Sequence, residues 1–164
     1  MKFYTGIGSI NTPTDILALM TEIAKVLDND KYILRSGGAG GADEAFESAT
    51  PCKRIYLPWS GFNGKQYNGK EYLVPSYNEQ WVLDYHPNSH YLTAGMMKLM
   101  SRNTYQVLGD DLNTPSAFVV CWTSDGKASG GTGQALRIAK DFNIPIYNLY
   151  NDEELETIVK KCKL

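Results

Sequence analysis

The sequence has no excess of basic charge: 16 lysines and arginines face 18 aspartates and glutamates, for a formal net charge of −2, with an isoelectric point near 5.7. Proteins that hold nucleic acid through its phosphates carry a basic footprint, so nucleic acid is a disfavoured partner. Cysteine is scarce. Cys52, Cys121 and Cys162 are odd in number and far apart, which fits neither a disulfide framework nor a zinc knuckle, and they read as reduced, mostly packing residues. Histidine is scarcer still. His86 and His90 are four apart with Asp84 nearby, but Pro87 interrupts the helix that would put both imidazoles on one face, so no metal site and no cofactor is expected. No apolar run approaches membrane-spanning length, and Met1 to Gly6 passes straight into strand and turn without a charged leader. These absences predict a cytoplasmic protein with no membrane partner.

What is present is ordinary in bulk and unusual in its glycines. An apolar fraction of 43% against 21% charged argues for a packed chain rather than a disordered one, and 164 residues suit one domain. Strand-like runs are predicted at Lys2–Thr5, Tyr32–Ser36, Arg54–Leu57, Ala117–Trp122 and Pro145–Leu149, the fourth being the most continuously apolar. Helices fall between them. Thr12-Pro13 reads as an N-cap followed by proline in the first turn, opening a helix through about Asp28 whose Ile16, Leu17, Met20, Ile23, Ala24 and Leu27 share a face. Asp43–Ala49 reads as a short helix, Asn78–Tyr85 as a helical turn or two, and Pro87-Asn88-Ser89 as the cap of a long helix through about Leu108. Gly133–Phe142 and Asp152–Lys161 complete the set, the last with acids early and lysines late as the helix dipole favours. This alternation predicts a Rossmann-like three-layer α/β/α sandwich with a mainly parallel sheet of about five strands. It forms a single domain over residues 1–164 with a loop-rich insertion at about 60–90. The aperiodic Gly, Asn, Tyr and Lys of Ser60 to Asn78 suggest a lid.

Three of the turns are rich in glycine, and all fall at carboxyl ends of predicted strands, where open parallel sheets bind ligands. They are Gly6-Ile7-Gly8-Ser9, Ser36-Gly37-Gly38-Ala39-Gly40-Gly41-Ala42-Asp43 and Ser129-Gly130-Gly131-Thr132-Gly133. Glycine admits a ligand to the backbone, and the free N–H groups of a helix's first turn attract an anion. The spacing is not a dinucleotide fingerprint: the helix after Gly8 starts only beyond Pro13, and the second strand ends in Arg35 where a dehydrogenase places an acid. No Gly-Lys-Ser/Thr follows either long turn, which excludes a triphosphate loop.

Other side chains complete the candidate site. Leu92, Met96, Leu99, Asn103 and Val107 form a stripe on the long helix, placing the Asn103 amide on its buried face and Arg102 at the edge, where a guanidinium can reach phosphate. Asn103 is expected to tie the helix to a loop backbone or to the ligand. Asp43 reads as a first-turn carboxylate or as a general base or hydroxyl acceptor. Trp59, Tyr67, Trp81 and Trp122 could stack on a base; Trp122 is the best placed and Trp81 reads as core.

In this order the two long glycine turns, Arg102-Asn103 and Ile144-Pro145-Ile146 resemble the SLOG superfamily, which includes the LOG phosphoribohydrolases and the DNA-processing protein A family. The resemblance covers most of the chain, least over Ser60 to His90, and is nearest to small single-domain bacterial or phage members. It implies a homo-oligomer that binds a nucleotide or ADP-ribose-like small molecule. Phosphates would sit on Gly131, Thr132 and Gly133 under Arg102, with Gly37 to Ala42 on a second phosphate or ribose. A sensor or sequestering protein is one expectation. A nucleotide N-glycosidase using Asp43, with Arg102 beside it, is another, although the glutamate that LOG enzymes carry three residues after the turn threonine is Ala135 here, next to Gln134. A single-stranded DNA accessory protein is a third.

Overall fold

A computed structural model describes all residues, 1–164. One sheet of six strands runs through it: β1 (Lys2–Gly6), β2 (Tyr32–Ser36), β3 (Lys53–Tyr56), β4 (Tyr72–Leu73), β5 (Val119–Cys121) and β6 (Ile146–Asn148). Their spatial order is β4-β3-β2-β1-β5-β6, and every pair is parallel. The helices are α1 (Thr14–Asn29), α2 (Ala42–Glu47), α3 (Glu79–Tyr85), α4 (Ala94–Leu108), α5 (Gly133–Asp141) and α6 (Asp152–Lys161).

β5 shows why both faces need cover. Side chains alternate across a strand. Val120 packs with Tyr4, Leu34 and the apolar faces of α1, α2 and α6, whereas Val119 and Cys121 join Val107, Leu108, Ala135 and Ile138 of α4 and α5. A strand buried on both sides must be apolar throughout, and the result is a Rossmann-like α/β/α sandwich. Fully burying one such aliphatic side chain stabilises the fold by about 1.5–3 kcal/mol. α3 adds a small third cluster, Val82 against Met97 and Met100.

α4 penetrates the domain so deeply that every residue from Ser101 to Leu108 is buried. Its last carbonyls would be orphans inside the protein. Instead Gln106 O accepts the Thr5 hydroxyl at 2.6 Å, Val107 O the Ser116 N–H at 2.8 Å and Leu108 O the Thr114 N–H at 2.9 Å. Arg35 holds the same segment. Its guanidinium donates to Thr114 O at 2.6 Å and lies 3.9 Å from the Phe3 ring centroid, and burial draws its pKa down.

Several expectations are corrected. The sheet has six strands rather than about five, because Tyr72–Leu73 in the insertion adds an edge strand, with Ile55 N donating to Glu71 O at 2.6 Å and Leu57 N to Leu73 O at 2.7 Å. Pro13 is itself the N-cap of α1, with no side-chain cap, and the Thr12 hydroxyl donates backwards to Ser9 O. The long helix begins at Ala94 under a Thr93 cap, whose hydroxyl accepts the Met96 N–H, while Ser89–Tyr91 is a separate 3-10 turn. The apolar stripe on α4 is displaced too. Met96 is 45% exposed and Met97 and Met100 face the core, because a helix enclosed all round in its second half leaves no polar stripe to set the phase. No helix is long and apolar enough to cross a membrane.

Candidate functional site

β1 lies between β2 and β5, so successive connections leave it in opposite directions and open a crevice at the carboxyl ends of the strands. A cavity of about 470 Å³ occupies it, bounded by the loops after β1, β2 and β5, by α4 and by Phe62 of the insertion. Two glycines let these walls approach. A Cβ on Gly8 would stand 2.7 Å from Ala42 Cβ and 3.0 Å from Trp122 O, and one on Gly37 would overlap the Arg102 guanidinium and the Gln106 amide. The loop after β1 is further fixed by Ser9 N donating to Trp122 O at 3.1 Å.

Asp43 joins two loops. Its carboxylate accepts Gly8 N–H at 3.3 Å and Ala39 N–H at 3.2 Å. Burial pushes its pKa up to about 6; the charges of Arg102 and Lys65 and the two N–H groups pull the other way without cancelling that effect. Arg102, 6% exposed, donates to Gly37 O at 3.1 Å, but its Nε has no partner. Burial lowers its pKa to about 10, and Asp43 opposes the fall. The two are coupled through space without an ion pair within 4.0 Å. Like Arg35 Nε and Thr104 Oγ1, the Arg102 Nε–H is a buried polar group left unsatisfied rather than a donor open to the cavity, which Arg102 lines with the rest of its side chain.

The second long turn is held from outside and left open inside. The Ser129 hydroxyl donates to Asp125 at 2.7 Å, Thr123 to Lys127 O at 2.8 Å and Arg137 to Ala128 O at 3.2 Å, and Asn103 Nδ2 reaches across from α4 to Gly131 O at 2.8 Å. The N–H groups of Gly130, Gly131 and Thr132 donate to no atom of the protein. They stand at the N-terminus of α5, where the helix dipole and free donors favour an anion.

Of the residues named from sequence, Gly8, Ser9, Asp43, Arg102, Asn103, Ser129, Gly130, Gly131 and Thr132 line this cavity. Gly6, Ser36, Gly37, Gly38, Gly41, Ala42 and Gly133 do not line it; the Ser36 hydroxyl donates to Gly6 O at 2.6 Å instead. The Trp122 ring packs in the core, tilted against Tyr150. Ala135 is in the core as well, and the Gln134 amide turns to Trp81 O. Sequence reasoning missed Gln106, Phe62 and Asp125. Gln106 follows Arg102 by four on the same helix, a signal that was available; Phe62 lies in the aperiodic insertion and gave none. The insertion is pinned to the first long turn by Asn63 and Lys65, which donate to Gly38 O at 3.1 and 3.0 Å. No group of three or more His, Cys, Asp or Glu side chains could hold a metal ion.

Comparison with known proteins gives the fold class and stops there. No family model matches the chain. No curated protein matches it either. Among solved structures it is similar to DNA processing protein A from Helicobacter pylori, described by its single-stranded DNA binding mode, with 17% identity and a TM-score of 0.57 over 98% of this chain and 72% of that one. At that identity the likeness is one of fold.

Proposed function

We propose that the cavity binds a nucleotide through a single phosphate group seated on the N–H groups of Gly130, Gly131 and Thr132. The observation that carries this reading is those three free donors at the start of α5, on the wall of a cavity that Arg102 also lines. Asn103 holds the turn, Arg102 clamps the phosphate, and Asp43 and Gln106 accept and donate to ribose or base. Charge limits the ligand. One arginine faces two carboxylates in the cavity wall, Asp43 and Asp125, so a mono- or dianionic phosphate suits it better than a triphosphate. Calorimetric titration with nucleoside mono-, di- and triphosphates tests this: the monophosphate binds at least as tightly as the triphosphate, and no binding by any of them at millimolar concentration would end the proposal.

A second reading, that the nucleotide is one unit of a DNA single strand, is favoured by one observation: the similar solved structure is described by its single-stranded DNA binding mode. That likeness runs against the expectation from charge that nucleic acid is not a partner, and it makes the phosphodiester, a monoanion, the fitting ligand. A strand that binds with a salt-dependent affinity supports this reading. Catalysis has less support. Both Asp43 oxygens are engaged by backbone N–H groups, and no carboxylate replaces Ala135. Release of free base from a nucleoside monophosphate, abolished in Asp43→Asn, would restore it.

A further inference from the structure

The insertion builds a second cavity, of about 670 Å³, against the outer side of α4. Trp59, Tyr67 and Tyr77 line it, and they are 39%, 58% and 50% exposed. Three large aromatics left open around one cavity are unusual for a soluble surface and mark a binding site. The walls are fastened in place: Asn78 N donates to the Ser101 hydroxyl at 2.8 Å, the Tyr105 hydroxyl to Ser76 O at 2.7 Å, and Tyr67 N to the Ser60 hydroxyl at 2.9 Å. Two cations face the same space. Lys98 makes no ion pair, and Arg102, four residues on, reaches the cavity from a largely buried position, 6% exposed.

Arg102 lines both cavities. The partition beside it is aromatic: Phe62, in the first cavity, lies 5.4 Å from the guanidinium and meets Trp59, in the second, edge to face with centroids 5.6 Å apart. A ligand that reached both cavities would have to cross this partition beside Arg102, with its anionic link near the guanidinium and a planar group on either side. Aromatic faces beside a cation are the usual means of holding a base next to its phosphate.

We propose that the second cavity takes the second base of a ligand made of two nucleoside units joined through phosphate, stacked on Trp59, with Lys98 near any further phosphate of a longer ligand. This rests on the phosphate reading of the first cavity. A soluble dinucleotide and two adjacent units of a DNA strand share this chemistry.

The test compares thymidine and adenosine monophosphates, the dinucleoside monophosphate TpT, diadenosine diphosphate and a short oligothymidylate on the whole chain and on Trp59→Leu, which keeps an apolar contact with Phe62 but removes the stacking face. The expected result is that a ligand with a second nucleoside unit binds about ten-fold or more tightly than its own monophosphate and quenches tryptophan emission. In Trp59→Leu that advantage is lost and monophosphate affinity is unchanged. An advantage for TpT and oligothymidylate alone identifies the strand, and for diadenosine diphosphate alone the soluble ligand. Lys98→Gln lowers the salt slope for oligothymidylate by about 0.7 if the strand is the ligand. Equal affinities for one- and two-unit ligands, or an advantage that survives Trp59→Leu, overturns the inference and leaves the first cavity's reading intact. Binding of two-unit ligands that depends on Trp59 but not on Arg102, with no monophosphate binding, upholds the second cavity and removes the first.

Discussion

Asp43 and Arg102 are each buried in a charged form that the surrounding protein only partly compensates. For Asp43 the consequence is a pH dependence with a definite sign. Its folded pKa of about 6 lies above the ordinary 3.8, so its contribution to stability is fully present below about pH 4 and is lost as pH rises through 6. A folded pKa displaced upward by that much corresponds to a loss on the order of 3 kcal/mol once the group is ionised. Asp43→Asn, which cannot accept both N–H groups, destabilises the protein at pH 4 by about 1–3 kcal/mol. That penalty shrinks between pH 4 and 7, because only the native protein loses stability there; denaturant unfolding at both pH values checks it. Arg102→Met makes the opposite trade. It removes a buried charge with a free N–H, so thermal unfolding is expected to show stability kept or raised, while calorimetry shows nucleotide affinity lowered about ten- to hundred-fold. A purely structural arginine would show the reverse.

At the scale of elements, the site depends on loops that approach more closely than side chains permit. Gly8→Ala puts a methyl 2.7 Å from Ala42 Cβ and against the backbone of Trp122, so it is expected to cost about 1–3 kcal/mol in denaturant unfolding and to weaken nucleotide binding. The insertion is fastened less tightly. Lys65 reaches Gly38 O and stands 3.3 Å from the buried Glu47 carboxylate; Lys65→Ala is expected to speed proteolysis between Ser60 and Gly69 while leaving the sheet folded. Much of this architecture was legible in the residues. The apolar run ending at Trp122, the glycine turns and the alternation of strand and helix were enough for the α/β/α sandwich, and Asn103 could be read as a helix-to-loop tie because a buried amide needs a partner. β4 was not legible. Two residues in a Gly- and Asn-rich stretch become a strand only because Ile55 and Leu57 of a distant segment pair with them. Nor was the start of α4, where Thr93 competes with the more conspicuous Pro87-Asn88-Ser89. Arg35 was read as the absence of an acid for ribose, but its work is to hold the Thr114–Ser116 segment beneath α4.

Over the whole molecule, a net charge of −2 supplies no long-range field for a polyanion, so the proposed phosphate site would have to select its ligand by local geometry. Steering is weak, and the salt dependence of binding stays modest even if the ligand is a DNA strand, since few phosphates are neutralised. The account stands or falls on whether a nucleotide phosphate meets the turn before α5. Amide-resolved NMR titration of the protein with a nucleoside monophosphate measures this directly. The predicted result is saturable shifts largest at Gly130, Gly131 and Thr132, with smaller ones at Gly8 and around Arg102, all needing about ten- to hundred-fold more nucleotide in Arg102→Met; saturation with those amides unmoved, or no saturation at millimolar nucleotide, would contradict it.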